Sequence, residues 1–218
     1  KVGNIQRVLV SELSGRSNVL YKAEKMLPNL KKDKEKVKEI VNKLKQLENE
    51  GYQFESAESS FELLIKKMTS DLEQGFGLEG FRVTIEKNSS EPPRSEATIR
   101  LRVNDLIEHT AAEGVGPVHA LDKALRKALI HFYPQIKNVR LIDYKVRDIN
   151  TTKGTSAKVR VLIETFSDKY RISTIGVSEN IIEASWQALV DSYVYYLMKE
   201  GIKAKPMPEY KQVETEER

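Results

Sequence analysis

Residues 97–103 read Ala97-Thr-Ile-Arg-Leu-Arg-Val103, with an apolar side chain at every second position. Because successive side chains of a β-strand point to opposite faces, this alternation predicts a strand with one buried and one exposed face. The same alternation returns in Ala157-Lys-Val-Arg-Val-Leu-Ile163. A pattern that occurs twice in one chain indicates a duplicated structural unit.

The first of these strands lies within a series of three strands and a helix. A strand is predicted over Phe81 to Ile85, and Asn104-Asp105 is the predicted turn into a third strand over Ile107 to Ala111. Gly114-Val-Gly-Pro117 then opens a helix with an apolar face between Val118 and Phe132, since proline suits the first turn of a helix.

The second series repeats this order. Strands are predicted over Val139 to Ile149 and Tyr170 to Ile175, and Gly176-Val177-Ser178 is predicted to open a helix that ends at Gly201. Residues 81–201 are therefore predicted as a pseudo-twofold, duplicated βββα domain of the α+β class. The matching elements recur about 63 residues apart: Asn104-Asp105 with Ser167-Asp168, Gly114-Val115 with Gly176-Val177, and Ala124-Leu125 with Ala188-Leu189.

Residues 1–75 have the 3.6-residue period of helices instead. Apolar side chains form one stripe from Val37 to Leu47 and another from Ala57 to Met68, and a shorter helix is predicted between Ser17 and Pro28. Three short amphipathic helices bury little core of their own, so we expect this helical linker subdomain to pack on another part of the protein. Residues 202–218 are predicted as a loose tail.

The composition limits the classes of function. The chain has no cysteine, which excludes disulfides and thiolate metal sites and indicates the cytoplasm. It has no apolar run of about 18 residues, so no membrane span is predicted. The net charge of +4 would suit nucleic acid, but the 36 basic residues are interleaved with 32 acidic ones.

The chain starts with Lys1 in what reads as mid-sequence, and we expect it to be a fragment.

The sequence contains no recognisable catalytic motif. None of the three histidines, His109, His119 and His131, belongs to a His-x-His or His-x-x-x-His pair supported by carboxylates. The sequence contains neither a Gly-x-x-x-x-Gly-Lys-Ser/Thr phosphate loop nor a Gly-x-Ser-x-Gly nucleophile motif. We therefore predict no catalytic residue and no metal ligand in this chain.

The loop Glu113-Gly-Val-Gly-Pro117 has two interpretations. Exposed amides at a helix N-terminus attract anions such as a carboxylate, and two such helix starts in two related repeats could present a pair of carboxylate-binding ends. A glycine before a helix also simply permits a tight turn. Tyr144 on the fourth strand is, likewise, either a core residue or the wall of a pocket.

Several separated stretches resemble one enzyme family. The stretches Val8-Leu-Val-Ser-Glu-Leu-Ser-Gly-Arg-Ser-Asn18 and Gly51-Tyr-Gln-Phe-Glu-Ser-Ala-Glu-Ser-Ser-Phe-Glu-Leu-Leu64 resemble the linker segment that follows the catalytic barrel of citramalate synthases. Residues 81–200 resemble the regulatory (dimer) domain shared by citramalate and 2-isopropylmalate synthases. That resemblance is carried by Gly114-Val-Gly-Pro117, Leu141-Ile-Asp-Tyr-Lys-Val-Arg147, Ser156-Ala-Lys-Val-Arg-Val161 and Gly176-Val-Ser-Glu-Asn-Ile-Ile-Glu-Ala-Ser185.

The resemblance implies a homodimeric regulatory region of an acyltransferase that condenses acetyl-CoA with a 2-keto acid. A divalent metal and acetyl-CoA would be bound by a catalytic barrel upstream, so this chain would hold no cofactor and would be inactive alone. An end-product branched-chain amino acid would bind and lower the activity. The citramalate branch, which uses pyruvate, implies isoleucine as this effector, whereas the 2-isopropylmalate branch implies leucine. His119 stands where small residues are common in the leucine-sensing relatives, which favours isoleucine.

Position by position, the resemblance also implies an effector site between two paired regulatory domains. The loop and first turn of the first helix, the fourth strand, and residues beside the fifth and sixth strands would contribute to it. The residues are Val115, Gly116, Pro117, Val118, His119, Leu141, Tyr144, Ser156, Ala157, Ile175, Gly176 and Val177.

Two alternatives come from other classes of protein. A basic βββα module could bind nucleic acid through Arg82, Arg100, Arg102 and the Lys-rich helix, with affinity that falls steeply as salt rises. A purely structural dimerisation domain would have a large interface and no ligand, so no amino acid would raise its melting temperature.

Overall fold

The computed structural model describes residues 34–69, 75–149 and 157–204. Two helices come first in these ranges, α1 (Lys34–Glu50) and α2 (Glu58–Thr69), with a 3₁₀ turn at Phe54–Ser56 between them. The helix predicted between Ser17 and Pro28 and the part of the predicted tail beyond residue 204 lie outside the described residues.

Two repeats follow, each made of three strands and one helix, as the sequence predicted. The α+β class and the duplicated βββα order are thus confirmed. The first repeat contains β1 (Gly77–Glu86), β2 (Arg94–Val103), β3 (Leu106–Gly114) and α3 (Pro117–Leu129). After a 3₁₀ turn at Pro134–Asn138, the second contains β4 (Arg140–Asp148), β5 (Val159–Phe166), β6 (Arg171–Ser178) and α4 (Ile181–Glu200).

Each repeat forms its own antiparallel sheet, in the order β1-β2-β3 and β4-β5-β6. The pairing of Ser95 with Gly114 recurs 64 residues later as the pairing of Val159 with Ser178. The predicted match of Gly114 with Gly176 is therefore wrong, because the register aligns Gly114 with Ser178. The glycines occur at different points of the two strands, so their likeness in sequence does not reflect equivalent positions.

The same hydrogen bond fixes the helix to the sheet in both repeats. The hydroxyl of Thr110 on β3 donates to the carbonyl oxygen of Ala124 on α3 at 2.9 Å. The hydroxyl of Thr174 on β6 donates to the carbonyl oxygen of Ala188 on α4 at 2.8 Å. Both pairs are buried and lie 64 residues apart, which confirms the predicted match of Ala124 with Ala188.

The second helix does not begin where the sequence predicted. Residues 176–178 are the last residues of β6 and pair with β5, whereas α4 starts at Ile181. The N-cap is Asn180, whose side chain accepts hydrogen bonds from the amides of Ile182 and Glu183. An asparagine that satisfies two first-turn amides is a stronger helix start than a glycine, so the strand continues past Gly176.

The inner faces of both sheets share one apolar core with α3 and α4. The apolar residues of β2 that alternate in the sequence are buried in it, so the predicted half-buried strand is confirmed. Because residues of both repeats join one cluster, the two repeats share a single core. Members include Ala97, Ile99, Leu101, Leu121, Leu125, Val161, Ile163, Ile172, Leu189 and Tyr193.

Helices α1 and α2 form a hairpin that covers the outer face of the second sheet. Phe61 of α2 lies in one buried cluster with Ile175 and Val177 of β6. The hydroxyl of Ser60 accepts from the amide of Ile175 at 3.1 Å and donates to Asp191 of α4 at 2.9 Å. The expectation that the helical segment packs on another part of the protein is confirmed for these two helices.

Candidate functional site

A groove lies between the first turns of α3 and strand β4. Its volume is about 580 Å³. Helix α3 forms one wall, and β4 with the residues just before it forms the other. The lining residues are Val118, His119, Asp122, Arg126, Lys137, Val139, Arg140, Leu141 and Tyr144.

Four residues that the resemblance assigned to the effector site meet in this groove: Val118, His119, Leu141 and Tyr144. Val118 and Leu141 are partly buried and pack against the main core, so they make apolar walls. The hydroxyl of Tyr144 shares a 2.8 Å hydrogen bond with the hydroxyl of Ser185 on α4. Burial raises the pKa of Tyr144, so its hydroxyl stays protonated at neutral pH.

The loop before α3 closes on itself through His119. The amide of Val115 donates to Nδ1 of His119 at 3.3 Å. Gly116 is the N-cap, Pro117 follows it, and the helix start has no side-chain cap hydrogen bond. The first-turn amides of α3 therefore have no N-cap side chain competing for them, unlike those that Asn180 satisfies in α4. Of the two helix starts that could form a pair of carboxylate-binding ends, only that of α3 leaves its first-turn amides without an N-cap side chain, so the structure gives no support to the pair.

The remaining predicted site residues lie elsewhere or outside the described ranges. Ile175 and Val177 are buried under the α1–α2 hairpin. Gly176 lies so close to α4 that an added Cβ would come within 2.0 Å of the carbonyl oxygen of Ala184. Ala157 is buried, and Ser156 lies outside the described residues. The predicted effector-site residues on α3 and β4 therefore lie together in the groove, whereas those on β6 lie apart from it.

A polar network, which the sequence did not predict, lies at the groove. The carboxylate of Asp122, buried on α3, accepts from the Tyr193 hydroxyl at 2.6 Å and from Nε of Arg126 at 3.0 Å. Nη1 of Arg126 also donates to the carbonyl oxygen of Val139 at 2.5 Å. Burial raises the pKa of Tyr193 well above its usual range, so this hydroxyl remains a donor. The network ties α3 to α4 and to the entrance of β4.

The sequence carried a signal for part of this network. Asp122 and Arg126 lie four and eight residues after Val118, so three successive turns of one helix face carry an apolar, an acidic and a basic residue. Two charges on a face that is otherwise apolar mark a polar site in a core. No comparable pattern identifies Lys137 and Arg140, because the 3₁₀ turn at Pro134–Asn138 brings them to the groove.

The charges at the groove favour an anion. Its lining contains the basic residues Arg126, Lys137 and Arg140 and a single acidic one, Asp122. Because Arg126 is already paired with Asp122, the remaining excess charge comes from Lys137 and Arg140. A small ligand with a carboxylate therefore fits this end of the groove.

The three arginines of the nucleic-acid alternative lie on the outer face of the first sheet, whereas its Lys-rich helix, α1, lies over the second sheet. Arg82, Arg100 and Arg102 are exposed there. Arg102 is paired with Glu79 at 2.7 Å, and the strand register places Glu96 on the same face. This surface therefore has mixed charge, which gives no specific support to a phosphate-binding face.

The described ranges contain neither a metal-binding cluster nor a membrane-spanning helix. There, no group of three or more His, Cys, Asp or Glu side chains is arranged to hold a metal ion. No helix in the same ranges combines the length and the apolar character that crossing a membrane requires.

Comparison with protein families defines the class of this domain. Residues 55–197 match the LeuA allosteric (dimerisation) domain. The chain belongs to this family. The match runs from the 3₁₀ turn before α2 into α4, so it includes helix α2 together with both βββα repeats.

Individual relatives are biosynthetic enzymes. The chain is 55% identical over 201 residues to an (R)-citramalate synthase of Geobacter sulfurreducens, with 91% of this chain and 38% of the relative covered. An (R)-citramalate synthase of Aquifex aeolicus is 52% identical, with the same coverage of 91% and 38%. A 2-isopropylmalate synthase of Methanocaldococcus jannaschii is 27% identical, covering 91% and 36%. The chain spans about two fifths of the length of these relatives, and the resemblance seen in the sequence is confirmed.

Proposed function

We propose that this chain is the effector-sensing regulatory region of an (R)-citramalate synthase, and that the α3–β4 groove binds isoleucine. The intact enzyme would condense acetyl-CoA with pyruvate at a metal-bearing barrel, and bound isoleucine would lower its rate. The observation that carries the proposal is a groove of about 580 Å³ in which apolar walls meet a basic rim beside a helix start without a side-chain cap.

Each part of an amino acid has a matching group in the groove. The carboxylate would be held by the first-turn amides of α3 and by Arg140, because helix N-termini and cations both favour an anion. The ammonium group would lie near Asp122, the acidic residue of the lining. The aliphatic side chain would contact Val118 and Leu141, which form the apolar walls.

A second copy of the chain would complete the site. The side chain of Val115, next to the groove in the loop before α3, is 90% exposed in the single chain. In the proposed dimer, the partner chain would cover Val115. The name of the domain family, which refers to dimerisation, supports a homodimer.

Sequence identity to the relatives favours isoleucine over leucine as the proposed effector. The two citramalate synthases share 55% and 52% identity with the chain, about twice the 27% of the 2-isopropylmalate synthase. Contact with an apolar wall changes the binding free energies of such isomers relative to each other by only about 1–3 kcal/mol, so shape alone gives modest selectivity. His119, which holds the loop amide of Val115, is the groove residue that departs from the leucine-sensing pattern.

Titration calorimetry with isoleucine, leucine and valine tests this proposal. We expect isoleucine to bind most tightly and the other two to bind more weakly, with the dimer verified by light scattering. A folded dimer that binds none of the three would contradict the effector function and favour a purely structural dimerisation domain.

A further inference from the structure

The pseudo-twofold symmetry defines a counterpart of the groove, between α4 and β1. Helices α3 and α4 start at Pro117 and Ile181, so residues on them correspond at a spacing of 64. Strands β1 and β4 carry a bulge at corresponding points, after Leu78 and after Leu141, so these strands correspond at a spacing of 63. The counterpart can therefore be compared with the groove residue by residue.

An aromatic contact closes the counterpart. Trp186 corresponds to Asp122, and Phe81 corresponds to Tyr144. The rings of Trp186 and Phe81 lie 5.5 Å apart between centroids with an interplanar angle of 36°. Trp186 is only 6% exposed, so its indole lies where the first groove has the smaller Asp122 side chain and open space.

The counterpart has also lost several polar groups of the groove. Val190 replaces Arg126, and Phe81 replaces the hydroxyl-bearing Tyr144. At the helix start, Asn180 replaces Gly116 and satisfies the first-turn amides with its own side chain. The counterpart keeps apolar residues at the wall positions, Ile182 and Leu78, and has the charged Glu183 in place of His119. The acidic side chain of Asp122, the basic side chain of Arg126 and the helix start without a side-chain cap are the features that it lacks.

We infer that Trp186 is a permanent internal occupant of the counterpart, so that each chain has one amino-acid site and the α4–β1 seam stays closed whether or not the groove is filled. The claim of one amino-acid site per chain rests on the proposed function, whereas the occupancy of the counterpart by Trp186 does not. Ligand binding then acts through the α3–β4 groove and leaves the α4–β1 seam closed, which makes the response of this duplicated domain one-sided.

The structure also shows where the Trp186 indole would move if it were not a fixed occupant of the counterpart. On its other side, Trp186 lines a cavity of about 360 Å³ between α4 and the α1–α2 hairpin, together with Tyr52 and Gln187. An indole that swung into this cavity would open the counterpart to a second ligand. The two behaviours differ in the environment of Trp186, which is the single tryptophan of the chain.

Tryptophan fluorescence of the whole chain, with and without saturating isoleucine, distinguishes a fixed Trp186 indole from one that moves into the cavity. We expect an emission maximum and acrylamide quenching typical of a buried indole, both unchanged by isoleucine, and calorimetry giving one isoleucine per chain. A red shift with stronger quenching on isoleucine addition, or two isoleucines per chain, would overturn the inference.

A second measurement does not depend on amino-acid binding. Trp186→Ala leaves an apolar cavity shaped for its missing ring, so indole should raise the melting temperature of this variant and leave wild type unchanged. Trp186→Phe, which keeps an aromatic ring in place, is the matched control and should not respond to indole.

A folded Trp186→Ala protein whose melting temperature is unchanged by indole contradicts the occupancy even if isoleucine binds. Should that variant not fold, the wild-type fluorescence decides. If no amino acid binds wild type, the proposed function fails and the indole result alone tests Trp186.

Discussion

The hydroxyl of Tyr193 on α4 donates a 2.6 Å hydrogen bond to the carboxylate of Asp122 on α3. Asp122 also accepts from Arg126, which in turn donates to the carbonyl oxygen of Val139 just before β4. The two helices and the edge of the second sheet are thus joined at the groove by one chain of hydrogen bonds. A ligand that contacts Asp122 would be coupled to both repeats through this network.

Removing the Tyr193 hydroxyl should destabilise the fold. Tyr193→Phe leaves the buried Asp122 without one of its donors, so the free energy of unfolding should fall by about 1–3 kcal/mol in urea denaturation. Tyr170→Phe is the control, because that hydroxyl bonds Glu200 in a partly exposed position and its loss should cost about 0.5 kcal/mol or less. Equal losses from the two variants would contradict a special role for the Asp122 network.

Filling the groove should weaken amino-acid binding. Val118→Trp places a large ring against Leu141, so the Kd for isoleucine measured by calorimetry should rise at least about tenfold, equivalent to about 1.4 kcal/mol. Ile130→Trp places the same ring on a partly exposed residue that directly follows α3 and is not part of the groove lining, and it should bind like wild type. Unaltered binding by a folded Val118→Trp protein would move the site elsewhere.

The buried β6 residues should matter for stability and not for the ligand. Ile175→Ala removes packing beneath the hairpin, so the free energy of unfolding should fall by about 2–5 kcal/mol. The Kd for isoleucine of the folded variant should remain within about twofold of wild type, a difference of less than about 0.5 kcal/mol. A large loss of affinity with little loss of stability would restore Ile175 to the effector site.

The matching threonine bonds provide a quantitative test of the duplication. Thr110→Val and Thr174→Val each remove one buried hydroxyl that donates to a helix carbonyl. Each should lower the free energy of unfolding by about 1 kcal/mol, since valine preserves the shape of the side chain. Because the two sites are separate, the double variant should show the sum within about 0.5 kcal/mol. Strongly unequal losses would indicate that the repeats use these bonds differently.

Local patterns predicted most of the fold because they report local geometry. The alternation in Ala97 to Val103 depends only on the pleat of a strand, and it specified the buried face correctly. The start of α4 was misplaced because Gly176 was interpreted as a breaker. In the structure the lack of a Cβ at Gly176 serves the close approach of α4, and Asn180 provides the helix cap.

Helix α2 shows a second limit of sequence patterns. The predicted stripe comprises Ala57, Phe61, Leu64, Ile65 and Met68. Of these, Phe61 and Ile65 are buried with α1 and β6. Leu63, outside that stripe, is equally buried but belongs to the main core. A helix packed between two layers buries two faces, and one periodic stripe cannot describe both. The groove was predicted only in part for a similar reason, since Asp122 and Arg140 meet through tertiary packing.

Chemical-shift mapping of the ¹⁵N-labelled chain during titration with isoleucine tests the central claim most directly. The groove model predicts that the largest changes occur in the amides of Val118 and His119 and in β4 from Leu141 to Tyr144. Residues of β1 and of the α1–α2 hairpin should change little, since Trp186 keeps the counterpart closed. Changes centred on β6 and the hairpin, or no change in a folded dimer, would contradict the claim.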